Sequence, residues 1–121
     1  MQNHSINWFE IPTRDLERAA RFYESVLEAS LRREDFGGVP HAIFLASAQG
    51  IGGALVHDPH NQPSSAGSRV YLNVTGKLDE CLARVSAAGG EVLLPKTDIS
   101  PNGFMAIVKD SEGNHVGFHS R

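Results

Sequence analysis

The chain has 121 residues and a mass of 13.1 kDa, room for one compact domain or two very small intertwined modules, and it excludes two independent large domains. With 40% hydrophobic and 21% charged residues, apolar burial can offset the entropy of ordering, so a wholly disordered chain is excluded as well. Eleven Lys and Arg against fourteen Asp and Glu give a net charge of −3 with no basic run, which argues against nucleic acid; no apolar stretch approaches the roughly 20 residues that cross a bilayer, and no signal-like segment opens the chain, so no membrane partner and a cytoplasmic location are expected.

In chain order, Ile6 to Ile11 reads as a first strand, followed by Pro12-Thr13-Arg14-Asp15 and an amphipathic helix from Leu16 to Leu27. Leu16, Ala20, Tyr23 and Leu27 recur at helical spacing, and Asp15 is placed to cap the first turn. Short β-like runs follow at about Leu31–Glu34, Ala42–Ala46 and Gly53–His57, the last two separated by the turn Ser47-Ala48-Gln49-Gly50. The segment 58–68, rich in Pro, Ser, Gly and Asn, is the natural linker.

The second half repeats the plan. Val70 to Val74 is a strand, Leu78 to Ala88 a helix with Leu78, Cys81, Leu82 and Val85 on one stripe, and Gly89-Gly90 can end it through a left-handed residue. Strands are expected at Glu91–Leu94, Phe104–Lys109 and Val116–His119, with Asp110-Ser111-Glu112-Gly113-Asn114 as the last hairpin connection. The expectation is a single domain over 1–121, built from modules at about 1–60 and 66–121. Cys81, the lone cysteine, reads as a small buried hydrophobe, and His57 and His60 flank Pro59 in a loop.

A doubled βαβββ unit with Asp15-Leu16-Glu17-Arg18-Ala19-Ala20-Arg21-Phe22-Tyr23 after the first strand and Asp110-Ser111-Glu112-Gly113-Asn114 before the last resembles the vicinal oxygen chelate superfamily, which includes glyoxalase I, bleomycin-resistance proteins and extradiol dioxygenases. Trp8-Phe9-Glu10-Ile11-Pro12 resembles the small proteins related to lactoylglutathione lyase. The resemblance implies an α+β fold in which two βαβββ modules form a cup with the ligand on its concave side. It also implies a homodimer and, in metal-dependent relatives, four ligands on the first and last strands of the modules. Those positions correspond here to Trp8, to a residue at or beside Arg69, to Gly117, and to a residue near Gly53 or Ala54. Indole, guanidinium, glycine and alanine offer no ligating side-chain atom, so no metal site and no cofactor are expected.

Strand alternation sends Phe9 and Ile11 to the first helix and leaves Ile6, Trp8 and Glu10 for the cup. It likewise sends Val70, Leu72 and Val74 inward and leaves Arg69, Tyr71 and Asn73, while His115, Gly117 and His119 take the cup face of the last strand. Trp8, Arg69, Tyr71 and Asn73 are therefore the ligand-binding candidates, and Glu10 with His119 the acid–base candidates. Two readings stay open for each anchor. Glu10 and Arg69 form an internal ion pair, or Glu10 is a general base; Trp8 is core filler or a ligand wall. Lys96 reads as an exposed charge or a lysine at the rim. The expected function is metal-independent binding of a small molecule, with lyase or isomerase chemistry as one form of it. Sequestration of a drug or metabolite is the competing reading, and a metal enzyme using displaced ligands such as Glu10, His57 or His119 the third.

Overall fold

The computed structural model describes residues 4–121. Its elements run β1 (Trp8–Pro12), α1 (Leu16–Leu27), β2 (Arg32–Phe36), β3 (Val39–Phe44), β4 (Gly52–Val56), β5 (Tyr71–Asn73), α2 (Leu78–Val85), β6 (Glu91–Asp98), β7 (Phe104–Lys109) and β8 (His115–Ser120). The plan βαβββ occurs twice, and the fold is α+β. Each module makes one four-stranded sheet, ordered β1-β4-β3-β2 in the first and β5-β8-β7-β6 in the second, with the first strand parallel to the last in both.

Two strands depart from the expected bounds by three residues or more, for local reasons. β3 starts three residues early because Gly37 and Gly38, both at positive φ, close a tight hairpin onto Val39. β6 continues past Pro95 to Asp98 because it is an edge strand with register shifts on either side of Leu94, where a missing N–H costs no ladder bond. Helix α2 ends at Val85 rather than Ala88; the chain then turns through Gly89 at φ 103°, and the Gly90 N–H returns to the Val85 carbonyl at 3.0 Å.

Asp15 caps α1 as its sequence position suggests, accepting from the Arg18 N–H at 3.0 Å. The buried stripe of α1 is wider than the i, i+4 pattern alone: Ala19, Ala20, Phe22, Tyr23 and Val26 are all buried. One helix face cannot hold that many against a single sheet, and the reason is α2. Both helices share one core, in which Ile11, Ala42 and Leu55 of the first module join Leu72, Val74, Cys81 and Phe118 of the second. The second module also holds both ends of α1. At the N-terminus, Glu112 from the β7–β8 turn accepts from the backbone N–H groups of Arg14 and Asp15, each at 2.8 Å. At the C-terminus, Arg84 of α2 donates to the Val26 carbonyl from Nε and Nη2 at 3.0 and 2.8 Å. An anion at the start and a cation at the end both complement the helix dipole.

The remaining turn residues complete the seam. Tyr23 donates its hydroxyl to buried Asp110 at 2.7 Å, and the Asn114 amide donates to the Pro12 carbonyl at 2.9 Å. With its helix covering one face, each sheet turns the opposite face outward. No helix among the described residues is long and apolar enough to cross a membrane.

Candidate functional site

Register identifies the side chains on the outward faces, since directly paired residues point the same way. On the first sheet one row is Glu10, Ala54, Ile43 and Arg32, and the next is Pro12, Val56, His41 and Glu34. Ile43, Ala54 and Val56 are buried there, with Val39 packed on them, forming a small apolar floor separate from the shared core. On the second sheet the rows are Tyr71, Gly117, Ile107 and Leu94, then Asn73, His119, Met105 and Thr97.

Around the first floor stand Trp8, Glu10 and His41. The Trp8 indole donates from Nε1 to Glu10 Oε2 at 3.3 Å, and His41 Nε2 lies 3.9 Å from the same oxygen. His41 is 8% exposed, and its Nδ1 lies 2.8 Å from the Val39 carbonyl oxygen. A carbonyl only accepts, so Nδ1 carries the proton and Nε2 is the nitrogen free to exchange one. The edge of Phe36 meets the imidazole with ring centroids 4.8 Å apart. Beside Glu10, a cavity of about 290 Å³ opens at the seam between the modules, bordered by Pro12, Gln62, Ser64, Asn114 and His115.

The second face carries a shallower apolar depression of about 390 Å³ bounded by Tyr71, Ile99, Met105 and His119. His119 Nε2 lies 2.7 Å from the Asn102 carbonyl oxygen, which by the same logic places its proton there and leaves Nδ1 as the acceptor.

The six sequence candidates therefore fall into two groups within one chain. Trp8 and Glu10 share the first face; Tyr71, Asn73 and His119 share the second. Arg69 is exposed just before β5. The internal Glu10–Arg69 pair does not form, because β1 and β5 are edges of separate sheets rather than paired strands, and the basic group facing Glu10 is His41. Asn73 spends its side-chain oxygen on the N–H and hydroxyl of Thr75, at 3.0 and 2.7 Å. Lys96 lies 3.3 Å from Asp79 and 4.6 Å from the Phe104 ring centroid. His57 and His60 are exposed in the connection between sheets, and Cys81 is buried with its thiol pushed up, burial being the largest cause.

Three further residues emerge from the fold: His41, Ile99 and Met105. For His41 a signal existed, since starting β3 at Val39 makes Val39, His41 and Ile43 alternate onto one face. Ile99 lies in the turn after β6, where no periodicity applies.

Register places the positions expected for metal ligands. Of Gly53 and Ala54, Ala54 faces outward beside Glu10, while Gly53 faces α1 beneath the Phe9 ring; the outward residue opposite Trp8 is Gly52. In the second module the residue opposite Gly117 is Tyr71, two positions after Arg69. In both modules an aromatic ring covers that glycine: a Cβ on Gly52 would lie 3.3 Å from the indole, and one on Gly117 would clash with the Cδ2–Cε2 edge of the Tyr71 ring. Each pair combines a glycine without donors and a ring lying on it. Among the described residues no three His, Cys, Asp or Glu side chains gather around a common point, Glu10, His57 and His119 included. This donor set does not fit a chelated metal.

The Glyoxalase/Bleomycin resistance protein/Dioxygenase superfamily model matches residues 5–118. No curated protein matches the chain. Solved structures of similar fold include a glyoxalase/bleomycin resistance protein from Albidiferax ferrireducens T118, with TM-score 0.74 and 17% identity over 98% of this chain and 99% of that one. Another, a glyoxalase/bleomycin resistance protein from Streptomyces sp. CB03234, gives TM-score 0.71 and 26% identity over 93% and 96%. A glyoxalase I mutant from Zea mays gives TM-score 0.70 and 21% identity, over 93% of this chain and 45% of that longer one.

Proposed function

Because the chain belongs to the Glyoxalase/Bleomycin resistance protein/Dioxygenase superfamily, we propose that its outward sheet faces bind a small organic molecule without a chelated metal, in a cup that a second copy of the chain completes. The observation that carries this reading is the aromatic ring laid over glycine in both modules, Trp8 on Gly52 and Tyr71 on Gly117, each beside a proton-handling group. The rings offer flat apolar surface to a ligand, and Glu10, His41 and His119 offer directional contacts to its polar end. The second copy is supported by what the single chain leaves open. β1 and β5 are edge strands, and Ile6, Trp8, Leu45 and Tyr71 remain between 43% and 66% exposed.

Glu10 is the base of this reading: its carboxylate accepts one hydrogen bond, from Trp8, and its side chain stays 44% exposed to a ligand. His119 is the second proton-handling group, and Trp8, Tyr71, Asn73 and Arg69 line the cup. Sequestration without turnover is the second reading, favoured by the apolar depression of Tyr71, Ile99 and Met105. Trp8 is the sole tryptophan, so quenching of its emission reports binding during a screen of metabolite mixtures in the presence of EDTA. Saturable quenching that survives EDTA is expected, with the bound compound recovered unchanged by a binder and converted by an enzyme. Conversion unaffected by Glu10→Gln removes Glu10 as base, and failure of any compound to quench removes the binding face.

A further inference from the structure

Where a carboxylate and an imidazole nitrogen face each other on an apolar floor, the state of the proton between them decides what the pair can do. Val39 fixes that question, because its carbonyl oxygen holds the Nδ1 proton of His41 at 2.8 Å. A neutral ring then aims its Nε2 lone pair at Glu10 Oε2, 3.9 Å away, so that two acceptors face one another. One added proton satisfies both. The ring is 8% exposed and wedged against Phe36, so it does not swing out to water for relief. On this face Glu10 of β1 lies nearest, Glu34 pairs opposite on β2 and Val56 on β4, and Arg32 of β2 stands one row away, opposite Ile43.

We infer that His41 is the proton partner of Glu10, a positioning residue that keeps Glu10 as the carboxylate and receives the proton Glu10 removes from a ligand. The inference rests on the reading of Glu10 as a ligand-facing base. In the step, a bond to hydrogen in the ligand breaks, its electron pair stays with the ligand, and the proton passes through Oε2 to Nε2. His41 ends as imidazolium and Glu10 again as carboxylate. Return of the proton by the same route restores the resting pair, so no other reactant is consumed. The 3.9 Å separation closes by turning the carboxylate or through one water, as is common in sites without ligand. His119, whose Nε2 is committed to Asn102 on the other sheet, is not this partner.

Trp8 makes the pair observable, since its indole donates to the same carboxylate oxygen that His41 faces. The experiment follows Trp8 emission as a function of pH in the full chain and in His41→Asn, His41→Gln, Glu10→Gln and Glu34→Gln. Asparagine keeps a donor toward Val39 and glutamine keeps a group near Glu10, so a fold lost in one variant leaves the other to decide. A sigmoidal change in the parent chain and in Glu34→Gln, lost in both His41 variants and in Glu10→Gln, is expected. A flat parent profile, or one that persists in a folded His41 variant, overturns the inference. The metabolite screen stays independent: a His41-dependent profile without any bound compound overturns the ligand reading alone, and saturable quenching with a flat profile overturns the pair alone.

Discussion

Replacing Glu112 with alanine removes the group through which the second module holds the start of α1. Its side chain is 0% exposed and takes 2.8 Å bonds from the N–H groups of Arg14 and Asp15, 2.7 and 3.0 Å bonds from the Arg18 guanidinium, and a 3.0 Å bond from the Ser111 hydroxyl. Truncation leaves two helix-start donors and a guanidinium without their acceptor. Breaking a buried charge pair costs about 3–5 kcal/mol; Arg18 is 48% exposed and regains water, so about 3 kcal/mol is expected. For a chain of this size that corresponds to a fall in Tm of about 12 °C, measurable by urea and thermal unfolding followed by circular dichroism. The same carboxylate sets an acid limit. Burial pushes its pKa up, but the bonds from Arg18, from the Asp15 and Arg14 N–H groups and from Ser111 outweigh that and hold it at about 2, against 4.5 ordinarily. A depressed folded value means a stabilisation fully present above about pH 4.5 and lost as the pH falls toward about 2, so the variant's stability declines less over that window. A loss under about 1 kcal/mol at pH 7, or an unchanged acid dependence, refutes the clasp.

Other substitutions probe the same packing. Tyr23→Phe removes the hydroxyl that donates to buried Asp110 at 2.7 Å, and a loss of about 1–2 kcal/mol in urea unfolding is expected, with near-neutrality contradicting the seam network. Gly90→Ala places a Cβ 2.5 Å from both the Lys109 carbonyl oxygen and the Phe22 ring; a backbone atom cannot yield, so a loss of about 2–3 kcal/mol is expected where a surface glycine costs little.

Much of the fold is legible in the sequence because its signals are local. Asp15 precedes a helical stripe, Gly89 follows one, and alternation separates Phe9 and Ile11 from Trp8 and Glu10. The doubled pattern links these signals into two like modules. What stays hidden depends on contacts far apart in the chain. Nothing near Glu112 says that it reaches Arg14, and nothing near Arg84 says that it caps Val26. The candidate site shows the same division: alternation finds which residues face outward, but the partner of Glu10 depends on which strand lies beside β4. That strand is β3, and it brings His41 rather than Arg69. Register also supplies what composition does not constrain, that the residue facing Gly117 is Tyr71.

Metal content tests the central claim most directly. The purified chain is dialysed against Zn²⁺, Ni²⁺, Mn²⁺ and Fe²⁺ in turn, washed and analysed by elemental mass spectrometry. With ring-covered glycines at the outward positions, only substoichiometric ion is retained. One tightly held ion per chain, lost in Glu10→Gln or His119→Ala, contradicts the account.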